Sequence, residues 1–171
     1  KGNFLGEHGL YYDGEGSVDE PLAESGGTSR VAHSGSLTSP AVDLSGISEN
    51  DPVSLSFKTW WEIESVNPNE KGFDLMEIQV STDGENFESL ARLNPLSDPK
   101  SDDLINRAPI PFSNNGFNKA PSWVTQEPIS LADYAGEQTV YIRWQFSTVD
   151  ELYNGFRGWL IDDVVVEKTE G

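Results

Sequence analysis

Two adjacent carboxylates, Asp162 and Asp163, are set into the segment GWLIDDVVVE, residues 158–167, whose Val and Ile content is typical of a β-strand. Because successive side chains of a strand point to opposite faces, we expect one of the two aspartates to face the buried side of its sheet. A buried carboxylate is costly unless it is hydrogen-bonded, paired with a cation or bound to a metal ion. Calcium is one such partner, since it prefers carboxylate and carbonyl oxygens. An ion pair with Arg143 or Arg157, which lie outside this segment, is the alternative.

A second acidic segment, DGEGSVDE at residues 13–20, carries oxygen-bearing side chains at alternating positions from Asp13 onwards. This spacing is similar to that of calcium-binding loops, but the glycines do not match an EF-hand and the terminal bidentate glutamate is missing. The segment therefore indicates either a cation site that includes Asp13 or a solvated acidic turn.

The residues that common enzymatic reactions require are mostly missing from the sequence. There is no cysteine, neither histidine belongs to an HExxH zinc motif, and no G-x-S-x-G nucleophile elbow or glycine-rich phosphate loop occurs. Glu62 and Glu64 could in principle hydrolyse a glycosidic bond as a pair of carboxyl groups. Such pairs arise easily in a chain with 29 acidic residues, so we predict that the protein is not an enzyme.

The aromatic pair Trp60 and Trp61 lies in the segment 53–64, where apolar and polar residues alternate as in a half-buried strand. If Trp61 joins the core, Trp60 shares the outer face with Lys58 and with the two glutamates that follow. An aromatic ring beside hydrogen-bonding groups is a common arrangement for holding a sugar, because the ring gives apolar area and the polar groups give orientation. Trp60 and Lys58 are therefore candidate ligand-binding residues.

The stretch 94–128 contains six of the ten prolines and has no apolar period. It is too long for an ordinary connection, so we expect a structured excursion or a binding loop. Trp123, within it, is a third candidate ligand-binding residue. The alternative is that the excursion covers Trp60, with Trp123 or Phe112 as the lid.

The elements that must position these residues are strands. Alternating segments at 53–64, 75–81 and 139–147 predict strands, and Asp83-Gly84 predicts a hairpin turn between two of them. Helix is expected only as a brief turn in ISLADYAGEQ, residues 129–138. We predict a single all-β domain over residues 1–171, folded as an antiparallel two-sheet sandwich with a long loop at 94–128.

The charge of the chain bears on its partners. A net charge of -18 opposes binding to nucleic acid or to anionic lipid. No run of apolar residues is long enough to predict insertion into a membrane. Since neither end of the sequence resembles a natural boundary, we expect other domains of the same larger protein to flank this one.

Four segments, in order, resemble one known family. SGSLTSPAVDLSG, DLMEIQVSTDGENFESL, ISLADYAGEQTVYIRWQFSTVD and FRGWLIDDVVV are similar to the MAM-like jelly-roll domains, of galactose-binding-like architecture, in bacterial secreted and surface proteins. The accessory domain of immune inhibitor A-type metallopeptidases and the modules of adhesins are of this kind. The resemblance covers residues 34–93 and 129–167, and it leaves out the long excursion.

The resemblance implies a jelly-roll sandwich, a secreted or cell-surface location, no catalytic activity and, in many members, bound calcium. Calcium in this family tends to join the N-terminal region to the final strands, which makes Glu62, Glu64 and Asp13 candidate ligands beside Asp162 and Asp163. We therefore expect a calcium-stabilised binding or adhesion module that recognises a glycan or a peptide. A structural accessory domain of a secreted metallopeptidase is the alternative.

Overall fold

The computed structural model describes residues 3–5, 31–64, 74–93, 111–117, 119–148 and 154–168. This part of the chain contains eleven strands and one 3-10 turn, Ala132–Tyr134, and no α-helix. The strands are β1 (Asn3–Leu5), β2 (Ser34–Thr38), β3 (Val53–Glu64), β4 (Leu75–Ser81), β5 (Glu88–Arg92), β6 (Pro111–Ser113), β7 (Gly116–Phe117), β8 (Val124–Thr125), β9 (Ile129–Ser130), β10 (Tyr141–Ser147) and β11 (Gly158–Lys168).

The strands form two antiparallel sheets. In the first sheet β11 lies between β1 and β3, while the other edge of β3 pairs with β6, β8 and β9, and β7 extends the sheet beyond β6. In the second sheet the order is β2-β10-β4-β5. The prediction of an all-β, antiparallel fold is confirmed.

One hydrophobic core lies between the two sheets. On β3 the predicted alternation places Leu55, Phe57 and Ile63 inside, each at most 1% exposed, and such burial is worth about 1.5–3 kcal/mol per side chain. The neighbouring strands β4, β10 and β11 turn alternate side chains inward in the same way. These are Met76, Ile78, Val80, Ile142, Trp144, Phe146, Trp159 and Ile161. Two sheets that share a core in this way form a β-sandwich.

The described part of the long excursion, 111–117 and 119–128, runs along the edge of β3. The strand β6 pairs with the end of β3, and β8 pairs with its middle. The backbone N–H of Gln126 then donates to the carbonyl of Phe57 at 2.8 Å. The excursion therefore covers backbone groups of β3 that would otherwise form an open sheet edge.

Candidate functional site

The Asp162–Asp163 pair lies at a β-bulge in β11. Asp162 is paired with Lys58, but the next paired residue of β11 is Val165, opposite Ser56, so β11 uses three steps where β3 uses two. Within the bulge, Asp163 has a left-handed φ of 49°. Its backbone N–H donates to Asp162 Oδ1 at 2.9 Å. The alternation of faces is broken there.

As a result, the expectation that one of these aspartates is buried is wrong. Asp162 is half-buried and Asp163 is exposed. The cation beside Asp163 is Lys58 of the neighbouring strand, whose Nζ lies 2.7 Å from Asp163 Oδ2, and not Arg143 or Arg157. The hydrogen bond between them, and then their Coulomb attraction, raises the pKa of Lys58 and lowers that of Asp163. The alternative of an arginine partner therefore does not hold for Asp163, which pairs with a lysine.

The two glutamates of the strand lie at the opposite end of β3. Glu62 is 2% exposed, and its Oε2 accepts a hydrogen bond from Arg157 Nη2 at 2.8 Å. Its other oxygen, Oε1, is buried and has no hydrogen-bond partner within the described part of the chain. The guanidinium of Arg157 also lies over the ring of Trp60, with Cζ 4.9 Å from the ring centroid. Arg157 therefore links Trp60 to Glu62.

A buried aspartate joins this acidic end of the sheet. Glu64 is 3% exposed and Asp74 is 1% exposed. Asp74 Oδ2 accepts a hydrogen bond from the backbone N–H of Glu64 at 3.0 Å, and Asp74 has a left-handed φ of 55°. The conformation of Asp74 is costly for a residue other than glycine, and the hydrogen bond offsets part of that cost.

Asp162 and the two glutamates lie at different places along the first sheet. Asp162 faces Lys58, four residues before Glu62 on β3, which corresponds to about 13 Å at a rise of about 3.3 Å per residue. That backbone separation is large compared with the roughly 2.3–2.6 Å between a calcium ion and its ligands. Within the described ranges, no three His, Cys, Asp or Glu side chains are grouped so that they could hold a metal ion. Asp13 lies outside the described residues.

The candidate ligand-binding residues lie together on the outer face of the first sheet. Trp60 is half-buried and Lys58 is exposed. The pairing of β3 with β8 joins Lys58 to Thr125 and Thr59 to Val124, and Trp123 directly precedes the first paired residue of β8. Trp123 is 45% exposed. We call Lys58, Trp60, Trp123 and Thr125 the tryptophan face.

Phe112 is not a lid over this face. It is buried on the core side, where its ring centroid lies 5.3 Å from that of Trp61. That part of the alternative is wrong, because β6 pairs with β3 in a register that turns Phe112 to the same side as Ile63. Arg157 does contact Trp60.

Two asparagines hold the backbone that carries Trp123. The side-chain amide of Asn114 donates to the carbonyl of Ser122 at 2.6 Å and accepts from the N–H of Ser122 at 3.4 Å. The amide of Asn115 donates to the carbonyl of Ala120 at 2.7 Å and to Ser122 Oγ at 3.0 Å. These contacts fix the segment just before Trp123, although it belongs to no long strand.

Sequence reasoning missed the position of Arg157 and the participation of Asp74. Arg157 directly precedes β11, and the sequence indicates it only as a possible partner of the aspartate pair. The signal for its true partner was the strand register, because Glu62 pairs with Gly158, the residue that follows Arg157.

The described histidine, His33, contacts Thr148 through its backbone. Its N–H donates to Thr148 Oγ1 at 2.8 Å, and its carbonyl accepts from the N–H of Thr148 at 2.8 Å. His8 lies outside the described residues.

In the ranges that the structure describes, no helix is long and apolar enough to cross a membrane. No protein-family model matches this sequence, and no curated protein matches it.

Proposed function

We propose that the chain is a non-catalytic binding module of a larger secreted or cell-surface protein, and that it recognises a glycan through the tryptophan face. The observation that carries the proposal is Trp123, a large aromatic side chain left 45% exposed on a backbone segment that is fixed by hydrogen bonds. An exposed ring on a fixed segment loses little conformational entropy when it binds a ligand. Its neighbours, Lys58 and Thr125, are exposed polar residues that can meet sugar hydroxyls.

The remaining expectations from the family resemblance belong to the same proposal. A MAM-like jelly roll is compatible with two antiparallel sheets around one core, and a flanking domain would bring the module to its target. The burial of Glu62 and Glu64, the candidate catalytic pair, favours a role other than hydrolysis. Both carboxylates are at most 3% exposed, and Glu62 is held by Arg157, so a polymeric substrate has little access to them.

A structural role beside a secreted metallopeptidase is the second candidate, and the contact of Arg157 with Trp60 favours it. This contact covers part of the Trp60 ring from within the chain. If the tryptophan face serves only to pack against a neighbouring domain, an isolated glycan will find no site on it.

Binding to a glycan array and to a peptide panel distinguishes the candidates, with Trp123→Ala as the test variant. The matched control is Val31→Ala, which removes another exposed apolar side chain, 58% exposed. We expect at least one neutral glycan to bind the parent and the Val31 variant, and to bind the Trp123 variant about tenfold more weakly, because truncating a tryptophan that dominates a binding surface costs more than about 1 kcal/mol. Blank arrays at high protein concentration, or equal binding by both variants, would contradict the glycan proposal.

Structural calcium also remains a proposal, and the geometry favours Glu62 and Glu64 over the aspartate pair. Asp163 is exposed and already paired with Lys58, whereas Glu62 has a buried oxygen without a partner within the described residues. An ion bound only by the folded state would raise the free energy of unfolding by about 2.7 kcal/mol at 100 times its Kd.

The test is thermal melting with excess calcium and with chelator. We expect calcium to raise the Tm of the parent and of Asp162→Asn, but not that of Glu62→Gln. An unchanged Tm of the parent, together with no metal in the purified protein, would end the calcium proposal.

A further inference from the structure

The outer face of the second sheet carries two rows of polar side chains that cross all four strands. Alternate residues of β4 and β10 point into the core, so the residues between them lie on the outer face. Cross-strand pairing then defines the rows. The first row is Thr38, Arg143, Gln79 and Ser89, and the second is Ser36, Gln145, Glu77 and Arg92.

Arg143 is held in one orientation on this face. Its Cζ lies 3.4 Å from the centroid of the Phe87 ring, and its Nε donates to Thr38 Oγ1 at 3.3 Å. Stacking fixes the plane of the guanidinium, and the hydrogen bond fixes its rotation within that plane. No described residue accepts a hydrogen bond from its two terminal nitrogens, Nη1 and Nη2.

The one carboxylate in the two rows does not pair with Arg143. Glu77 instead accepts hydrogen bonds from Gln79 Nε2 at 3.4 Å and from Ser89 Oγ at 3.1 Å, and it is paired in register with Arg92. Within the two rows, two arginines stand with one glutamate, in a chain of net charge -18. The rows therefore offer an anionic group a local attraction at Arg143.

The two glutamines supply acceptors beside the guanidinium. The amide nitrogen of Gln79 donates to Glu77, and that of Gln145 donates to the carbonyl of Phe146 at 3.0 Å. With their nitrogens engaged inside the protein, both amides can direct their oxygens to a ligand. Oriented guanidinium donors next to fixed amide acceptors match a ligand that carries a carboxylate among hydroxyl groups.

We propose that the outer face of the second sheet binds a carboxylated sugar, with the carboxylate held by Nη1 and Nη2 of Arg143 and the neighbouring hydroxyls by Gln79 and Gln145. Arginine binds a carboxylate with two parallel hydrogen bonds, which gives both energy and orientation. A single carboxylate suits this chain better than a polyanion, because the overall negative charge repels a ligand that carries many like charges. The site lies on the opposite sheet from the tryptophan face and does not depend on the function proposed for it.

The carboxylated sugar could be a sialic acid or a uronic acid. Calorimetric or NMR titrations with matched pairs of acidic and neutral ligands distinguish the two. The pairs are sialyllactose with lactose, and methyl galacturonoside with its methyl ester, so that each acidic sugar carries one carboxylate. We expect one of the acidic sugars to bind and its neutral counterpart to bind at least about tenfold more weakly, since the neutral sugar lacks the hydrogen bonds to a charged group. Binding should weaken as salt is added.

Three variants locate the site. Arg143→Gln should weaken binding of the acidic sugar at least about tenfold. Thr38→Val, which keeps the charge and removes only the anchor of Nε, should weaken it less. Lys168→Gln removes an exposed positive charge elsewhere and should leave the affinity unchanged, as should Trp123→Ala.

Several results would overturn the proposal. These are equal affinity for the acidic and neutral sugars, unchanged affinity of a folded Arg143→Gln variant, and no binding of either acidic sugar at millimolar concentration. An acidic peptide that binds as tightly as the sugar would also overturn the assignment of the ligand class. The melting curve of each variant shows whether it is folded, and Thr38→Val keeps the test available should Arg143→Gln fail to fold.

Discussion

Two buried tryptophans, Trp159 and Trp144, give a matched test of how this core treats polar groups. Trp159 is fully buried, and its Nε1 donates to Thr59 Oγ1 at 2.8 Å. Trp144 is 4% exposed, packs edge-on against Phe57, and its buried Nε1 has no partner within the described residues. A change to Phe removes similar apolar volume at both sites, but it breaks a hydrogen bond only at Trp159.

The expected difference follows from that hydrogen bond. Trp159→Phe leaves the buried hydroxyl of Thr59 unsatisfied, which costs about 1–3 kcal/mol. Trp144→Phe removes a donor that has no described acceptor, so it carries only the packing cost that both variants share. We therefore expect Trp159→Phe to lower the free energy of unfolding by about 1–3 kcal/mol more than Trp144→Phe does.

Equilibrium unfolding in urea measures the difference, and Thr59→Val supplies the control. Thr59→Val leaves the N–H of Trp159 unpaired, so it should be destabilising in the parent. In the Trp159→Phe background no donor remains, and the same substitution should cost much less. Equal stability of Trp144→Phe and Trp159→Phe, or additive effects of Thr59→Val and Trp159→Phe, would refute the reasoning.

Three further predictions concern the charged residues. The pKa of Asp83 is held well below its usual range, first by hydrogen bonds from the side chain and backbone of Asn86. The contribution of Asp83 to stability is therefore complete above its unfolded-state pKa of about 3.9, and it is lost as the pH falls towards the folded-state pKa. The melting temperature of Asp83→Asn should therefore vary less with pH below about 4 than that of the parent. Arg157→Ala should lower the free energy of unfolding, measured in urea, by about 2 kcal/mol, since it leaves Glu62 buried without this partner. Adding Glu62→Gln to this variant should recover part of the lost stability. At Asp163, with its φ of 49°, substitution by Val should lower the Tm more than substitution by Gly, and the reverse order would contradict the left-handed conformation.

The core was predictable because its signal is local. The alternation of Leu55, Phe57 and Ile63 identifies both the strand and its buried face, and the structure confirms it. The edge of the sheet was not predictable in the same way. The strands β8 and β9 have two residues each, too few to show a period, and their conformation is set by the partner that β3 offers.

The candidate site was only partly predictable, for two physical reasons. A bulge changes the face of every residue after it, and here the left-handed position holds Asp163 rather than the glycine that usually marks it. The ion pair between Arg157 and Glu62 joins residues 95 positions apart, and only the register of two strands brings them together. By contrast, the outward position of Trp60 followed from alternation alone.

The bulge also bears on the tryptophan face. Without the extra residue, Asp163 would follow the alternation of β11 and point towards the core side, away from Lys58. With it, Asp163 reaches Lys58 across the strand pair at 2.7 Å, and Lys58 lies two residues before Trp60 on the same face. The adjacent aspartates therefore act at the surface, where they hold a lysine beside the aromatic residues. This account explains two neighbouring carboxylates in an apolar strand without a buried charge, and it connects the bulge to the surface where we propose that the glycan binds.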